Sequence, residues 1–218
     1  MANADLNQQS PAPLADVADY YTDTLNRHGP SARGVDWNGE ESQNLRFTQL
    51  ARLINTSAAD AFSVNDLGCG YGALLNFLIA QYPAVRYQGY DISAKMIEAA
   101  QTRHASAGAA RFFHASKPGQ RADYSFASGI FNVRLDHPDS EWRDHVLQTL
   151  DVLDRSSSRG FAFNCLTSYS DSGKMRPYLY YADPCDLFAH CKRAYARDVA
   201  LLHDYGLYEF TLLVRKTL

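Results

Sequence analysis

Seven residues, Asp66-Leu67-Gly68-Cys69-Gly70-Tyr71-Gly72, place glycine at every second position behind a carboxylate. Glycines in such a loop let the chain turn sharply and let a ligand approach the backbone with no Cβ in the way. Asp91 follows nineteen residues after Gly72, at the carboxyl end of the next apolar run. An acid there can accept hydrogen bonds from both hydroxyls of an adenosine ribose. Together the loop and the acid place a nucleoside in a crevice above two neighbouring strands. Two ligand chemistries compete for that crevice. Read as Gly68-x-Gly70-x-x-Ala73, the loop fits a pyrophosphate held at a helix N-terminus. Asp66, two residues before the first glycine, would repel a pyrophosphate and suits a cation.

The elements that must hold these residues follow from periodicity. Residues 1–14 are polar and carry Pro11 and Pro13, which predicts a flexible arm. A helical stripe of Val17, Tyr20, Tyr21, Thr24 and Leu25 runs from Asp16 to Gly29-Pro30, a C-cap and a breaker. After a turn-rich link comes a second helix, about Glu40 to Asn55, so residues 15–56 form a helical front section. From residue 57 to 218 strands and helices alternate, the pattern of a mostly parallel sheet covered on both faces. Strands are predicted at Phe62–Leu67, Val85–Tyr90, Arg111–His114, Tyr124–Phe131 and Gly160–Leu166. Helices are predicted at Ala73–Tyr82, Ser93–His104, Ser140–Leu153 and from Pro184, with Asp183 as N-cap. An antiparallel hairpin, Val199–His203 and Tyr208–Val214, closes the chain.

Read as Asp66-x-Gly68-x-Gly70-x-Gly72, the loop resembles motif I of the class I S-adenosylmethionine-dependent methyltransferases. The sulfonium and ammonium of that cofactor are the cations Asp66 suits. The helical front and the terminal hairpin are also similar to that family. The resemblance covers about 160 residues. It implies an α/β fold of three αβα layers, Rossmann-like, with a mostly parallel seven-stranded sheet, an antiparallel terminal strand and the N-terminal helices as a lid. By position it places Asp66, Gly68, Cys69 and Gly70 at the methionine part of the cofactor, Asp91 on the ribose and Ile92 on the adenine. The family often has an acid after its third strand to bind the adenine amino group. This chain has His114-Ala115-Ser116 there, which leaves Ser116 as a neutral contact. Ser128-Gly129-Ile130-Phe131-Asn132 takes the place of motif IV beside the transferred methyl group, without the Asn-Pro-Pro-Tyr pattern of base amino methylation.

In an open α/β sheet the ligand lies beyond the carboxyl ends of the strands, so the loops after strands four and five face the methyl group. They supply Asn132, Arg134, Asn164 and Tyr169 as candidate substrate contacts, and His137 and Asp136 as candidate bases. From the front helices Tyr20, Tyr21 and Trp37 would line a lid, and Arg46 would pair with the cofactor carboxylate. The activity expected is methyl transfer from S-adenosylmethionine, leaving S-adenosylhomocysteine, to an oxygen or nitrogen of a small polar molecule. The alternatives are a regulatory or partner subunit that holds the cofactor without catalysis, and an NAD-dependent enzyme.

Composition narrows the partners. The 218 residues carry 21 Lys and Arg against 24 Asp and Glu, a net charge of −3, with no basic stripe for nucleic acid. No apolar run approaches the roughly 18 residues that span a bilayer, and no signal peptide is legible, so a cytoplasmic protein, monomer or homodimer, is expected. Cys69, Cys165, Cys185 and Cys191 stand apart from one another. They are expected to be buried thiols, with no metal site and no disulfide. Pro184-Cys185 reads as a helix start.

Overall fold

A computed structural model describes residues 12–217, with side chains from residue 14 onward. The first eleven residues of the predicted arm lie outside the described residues; its last three are helical. The elements are α1 (Ala12–His28), α2 (Glu40–Ala51), β1 (Ser63–Leu67), α3 (Ala73–Gln81), β2 (Arg86–Asp91), α4 (Ala94–Arg103), β3 (Ala110–His114), β4 (Ala122–Ala127), α5 (Asp139–Arg155), β5 (Ser157–Leu166), α6 (Pro184–Ala194), β6 (Asp198–Leu202) and β7 (Glu209–Arg215). Short 3-10 turns occupy Ala32–Val35 and Ser172–Lys174.

The seven strands form one sheet in the order β3-β2-β1-β4-β5-β7-β6. β1 pairs in parallel with β2 and β4, β2 with β3 and β4 with β5, whereas β7 runs antiparallel to both β5 and β6. Chain order reverses between β1 and β4, so a crevice opens at their carboxyl ends. The crossing from β3 to β4 carries no helix.

Each helix covers the sheet with the stripe its sequence encodes. On one face Trp142, Val146, Leu150 and Leu153 of α5 join Leu187 and Cys191 of α6 over Phe161, Phe163 and Phe210. On the other, Phe47 and Leu50 of α2 join Leu74, Leu75 and Leu78 of α3 over Val64, Tyr87 and Phe126. α1 spans the carboxyl edge, where Val17 is buried and Thr22 Oγ1 lies 2.8 Å from Ser93 Oγ, the N-cap of α4.

Three expectations are corrected. β4 stops at Ala127 rather than Phe131, because Gly129 takes φ +76°, a left-handed backbone no strand allows. α2 ends at Ala51, four residues early. Cys185 is exposed while the other three thiols are buried, because it sits in the first turn of α6 on the side away from the sheet. Asp183 caps that helix, its Oδ1 accepting from the Cys185 and Asp186 amides at 2.7 and 3.2 Å. Asp183→Ala should cost about 1 kcal/mol in urea denaturation.

Candidate functional site

β1 ends in Asp66-Leu67, and the chain leaves the sheet through Gly68, Gly70 and Gly72, at φ +73°, +53° and +81°. These left-handed angles are why glycine is needed at each second position. A Cβ on Gly68 would lie 2.1 Å from Ile130 Cγ2. Gly68→Ala therefore combines backbone strain with overpacking, and should destabilise the ligand-free protein by about 2 kcal/mol in chemical denaturation. Cys69 turns its thiol toward β2, 2.8 Å from where a Cβ on Gly89 would be, and burial pushes that thiol up, out of the reactive range.

Asp91 closes the loop from the neighbouring strand. Its Oδ2 accepts the Gly70 amide and its Oδ1 the Ser93 amide, both at 2.8 Å. Burial raises its pKa, and the Ser93 and Gly70 amides partly offset the rise. Asp66 is also buried and accepts a bond from the Tyr87 hydroxyl. Burial pushes it up to about 7 against that bond, with the Asp91 charge adding to the rise. Neither carboxyl has an ion-pair partner among the described residues.

These groups open onto a cleft of about 990 Å³, including its mouth. Its floor is the Asp66–Tyr71 loop with Asp91, Ile92 and Met96; Ala115, Ser116 and Ser128–Ile130 form one wall, and α1, Val35, Trp37 and α2 the cover. The Ser128 hydroxyl is buried with no hydrogen-bond partner. No arginine or lysine lines the cleft among the described residues.

Of the residues singled out in the sequence, Asp66, Gly68, Cys69, Gly70, Asp91, Ile92, Ser116, Ser128, Gly129, Tyr21 and Trp37 line this cleft together. The remainder lie outside its lining. Arg46 is committed elsewhere: its Nε and Nη2 bind Glu209 at 2.8 and 2.7 Å. His137 stacks on Trp142 and sits 3.3 Å from Asp16 and 3.8 Å from Glu141, where it ties α1 to α5. Asp136 is exposed. Tyr20 donates to Asp36 at 2.9 Å, and Tyr169 is 68% exposed. Asn132 and Arg134 brace loops: Asn132 Oδ1 accepts the Leu166 amide, and Arg134 donates to three carbonyl oxygens. Asn164 is buried under the cleft wall, its Oδ1 accepting the Gly129 amide at 2.7 Å.

Sequence reading missed Gln43, Phe47, Tyr71, Val17 and, above all, His145 and Thr149 of α5, which line the cleft. The signal for the last two was present. They are four residues apart, each one position before a member of the buried stripe (Val146, Leu150), so they lie on its rim. Burial lowers the His145 pKa, with His137 adding to the shift, which favours the neutral form of the imidazole that lines the cleft.

A methyltransferase domain matches residues 64–155. Rv1506c of Mycobacterium tuberculosis, a protein bearing a methyltransferase name, is 59% identical over 165 residues, 76% of this chain and 98% of that one. The chain belongs to the methyltransferase family. This methyltransferase shares its fold with solved structures of low identity. The Burkholderia thailandensis 1,6-didemethyltoxoflavin-N1-methyltransferase, with its substrate and S-adenosylhomocysteine bound, superposes with TM-score 0.62 at 18% identity over 95% of this chain and 92% of that one. A DhpI–S-adenosylhomocysteine complex superposes with TM-score 0.60 at 14% identity, covering 94% and 98%. The fold is that of the Rossmann-like, S-adenosylmethionine-dependent class I methyltransferases. No described helix is long and apolar enough to cross a membrane.

Proposed function

We propose that this methyltransferase uses S-adenosylmethionine to methylate an oxygen or nitrogen of a small molecule. The observation that carries the cofactor is the pair of buried carboxyls, Asp66 and Asp91, flanking a glycine loop in a cleft with no cationic wall. An unpaired buried carboxyl at neutral pH calls for a cationic or hydroxyl-bearing ligand. S-adenosylmethionine supplies a methyl carbon already activated by its sulfonium. Asp66 then faces a cation and Asp91 a ribose, Ile92 packs on a flat base, and the Ser128 hydroxyl gains the partner it lacks.

The same walls argue about the acceptor. Val17, Tyr21, Val35, Trp37 and Phe47 make the cover apolar and aromatic, and the charged loop residues expected from the sequence stand outside it. A carboxylate or phosphate acceptor would meet two acids and no cation. The acceptor favoured is therefore neutral or cationic with an apolar body, rather than the polar molecule the sequence suggested. An amine attacks as its free base and sheds its proton to solvent after transfer, so it needs chiefly orientation; a hydroxyl also needs a proton acceptor, and the imidazole lining the cleft is that of His145, not His137.

Calorimetric titration tests the reading. S-adenosylmethionine and S-adenosylhomocysteine should bind and a nicotinamide dinucleotide should not. Acceptors would then be screened by release of S-adenosylhomocysteine, with amines and phenols expected ahead of carboxylates. Binding of the dinucleotide alone would overturn the proposal, and cofactor binding with no acceptor turned over would favour a regulatory subunit.

A further inference from the structure

Five residues from five segments close a ring of contacts beside the cleft. Arg46 of α2 grips Glu209, the first residue of β7, with two bonds of 2.8 and 2.7 Å. Glu209 Oε2 also accepts Asn164 Nδ2 of β5 at 3.0 Å. Asn164 Oδ1 accepts the amide of Gly129, in the loop after β4, at 2.7 Å. A Cβ on Gly129 would lie 2.4 Å from Trp37 Cζ2, so the indole rests on that peptide. The Arg46 guanidinium, finally, lies 3.8 Å from the centre of the Trp37 ring. The side chains of Arg46 and Glu209 are 8% and 2% exposed, and Asn164 is fully buried.

Such a ring is costly to bury and geometrically exacting. A planar guanidinium that binds a carboxylate at two points and stacks on an indole can hold only one pose of both. The ring is also selective in what it touches. Its two members that line the cleft, Trp37 and Gly129, belong to the cover and to the wall respectively, and the three charged or amide side chains stand behind them. We propose that Arg46, Glu209 and Asn164 are positioning residues, a latch that pins the cover onto the wall and fixes the surface of Trp37 and Gly129 presented to the ligand. This rests on the reading of the cleft as the cofactor and acceptor site. It also explains why the cleft has no cation: the one arginine of α2 is spent on the latch. With the latch made, ligand exchange requires Trp37 to leave Gly129, so the contact governs how fast product is released.

The test removes both buried charges together, since taking one alone strands the other. In the full-length Arg46→Met/Glu209→Gln protein, acrylamide should quench tryptophan emission more strongly than in the wild type. Trp142 is 1% exposed, so the accessible emission is that of Trp37. Stopped-flow release of S-adenosylhomocysteine should accelerate by about tenfold, with circular dichroism unchanged. Arg46→Lys, which keeps the charge but loses the two-point grip, should fall between. Gly129→Ala leaves the ion pair in place and drives a methyl into the indole; it should reproduce both changes, and it serves if the double variant does not fold. A folded variant with wild-type quenching and wild-type release overturns the latch. Failure of the wild type to bind S-adenosylhomocysteine would overturn the reading of the cleft instead, while quenching in ligand-free protein would still report on the latch.

Discussion

Asp91→Ala should weaken S-adenosylhomocysteine binding by about a hundredfold or more, roughly 2.7 kcal/mol. The size follows from what this carboxylate does before any ligand arrives. It accepts the Gly70 and Ser93 amides at 2.8 Å each, so it sets the path of the glycine loop and the entry to α4. Hydrogen bonds to an ionised group contribute about 1.5–3 kcal/mol apiece. Alanine leaves two amides without their acceptor and also removes the carboxylate that the proposed function assigns to the ribose. Asn at the same position keeps one acceptor oxygen and should lose less. Calorimetry on protein shown to be folded by circular dichroism decides the matter; an unchanged dissociation constant in the alanine variant would sink the cofactor assignment.

The second large effect is a dependence on pH set by Asp66. Burial pushes its carboxyl up to about 7, so it is mostly charged above that pH and mostly neutral below it. A cationic ligand recruits the charged form. Affinity for S-adenosylmethionine should therefore be highest near pH 8 and fall by about a hundredfold by pH 5, approaching tenfold per pH unit on the acid side. In the ligand-free protein the sign is opposite. An acid whose pKa is raised on folding favours the folded state most below its unfolded value, near pH 4, and that contribution is lost as the pH rises through about 7. Asp66→Asn removes the cost of a buried charge, so near pH 8 it should raise the melting temperature of ligand-free protein while flattening the pH profile of binding. Titrations at several pH values on both proteins check this, and an equal slope in the asparagine variant would refute it. The expected pattern, a site residue that costs stability without its ligand, is a common trade of stability for function.

These two acids were legible in the sequence because their roles are local. A glycine loop between a strand and a helix, with an acid at its start and another at the end of the next strand, specifies its own geometry within 26 residues, Asp66 to Asp91. Parallel pairing of β1 with β2 puts Asp66 opposite Gly89 and Leu67 opposite Tyr90, so both acids reach the same edge. The stripe of α5 and the cap of α6 were legible for the same reason, since helical period and N-cap chemistry act over one or two turns.

What stayed hidden depends on residues far apart in sequence. Arg46 offered a charge and a place on the cover, and its partner stood 163 positions away; only the pairing of β7 with β5 brings Glu209 beneath it. His137 looked like the histidine of the site because it follows strand four. The early end of β4 at Ala127, before the left-handed Gly129, instead lets the loop fold back, so that His137 faces Asp16 while His145, a turn or two into α5, reaches the cleft. The sequence by itself determined the fold, the glycine loop and the two carboxyls, through interactions that span a few turns or one strand pair. The tertiary structure alone decided which polar side chains line the cleft and which are consumed in pairing with one another behind it. Burial and pairing are properties of the packed molecule, and a charge read along the chain shows neither.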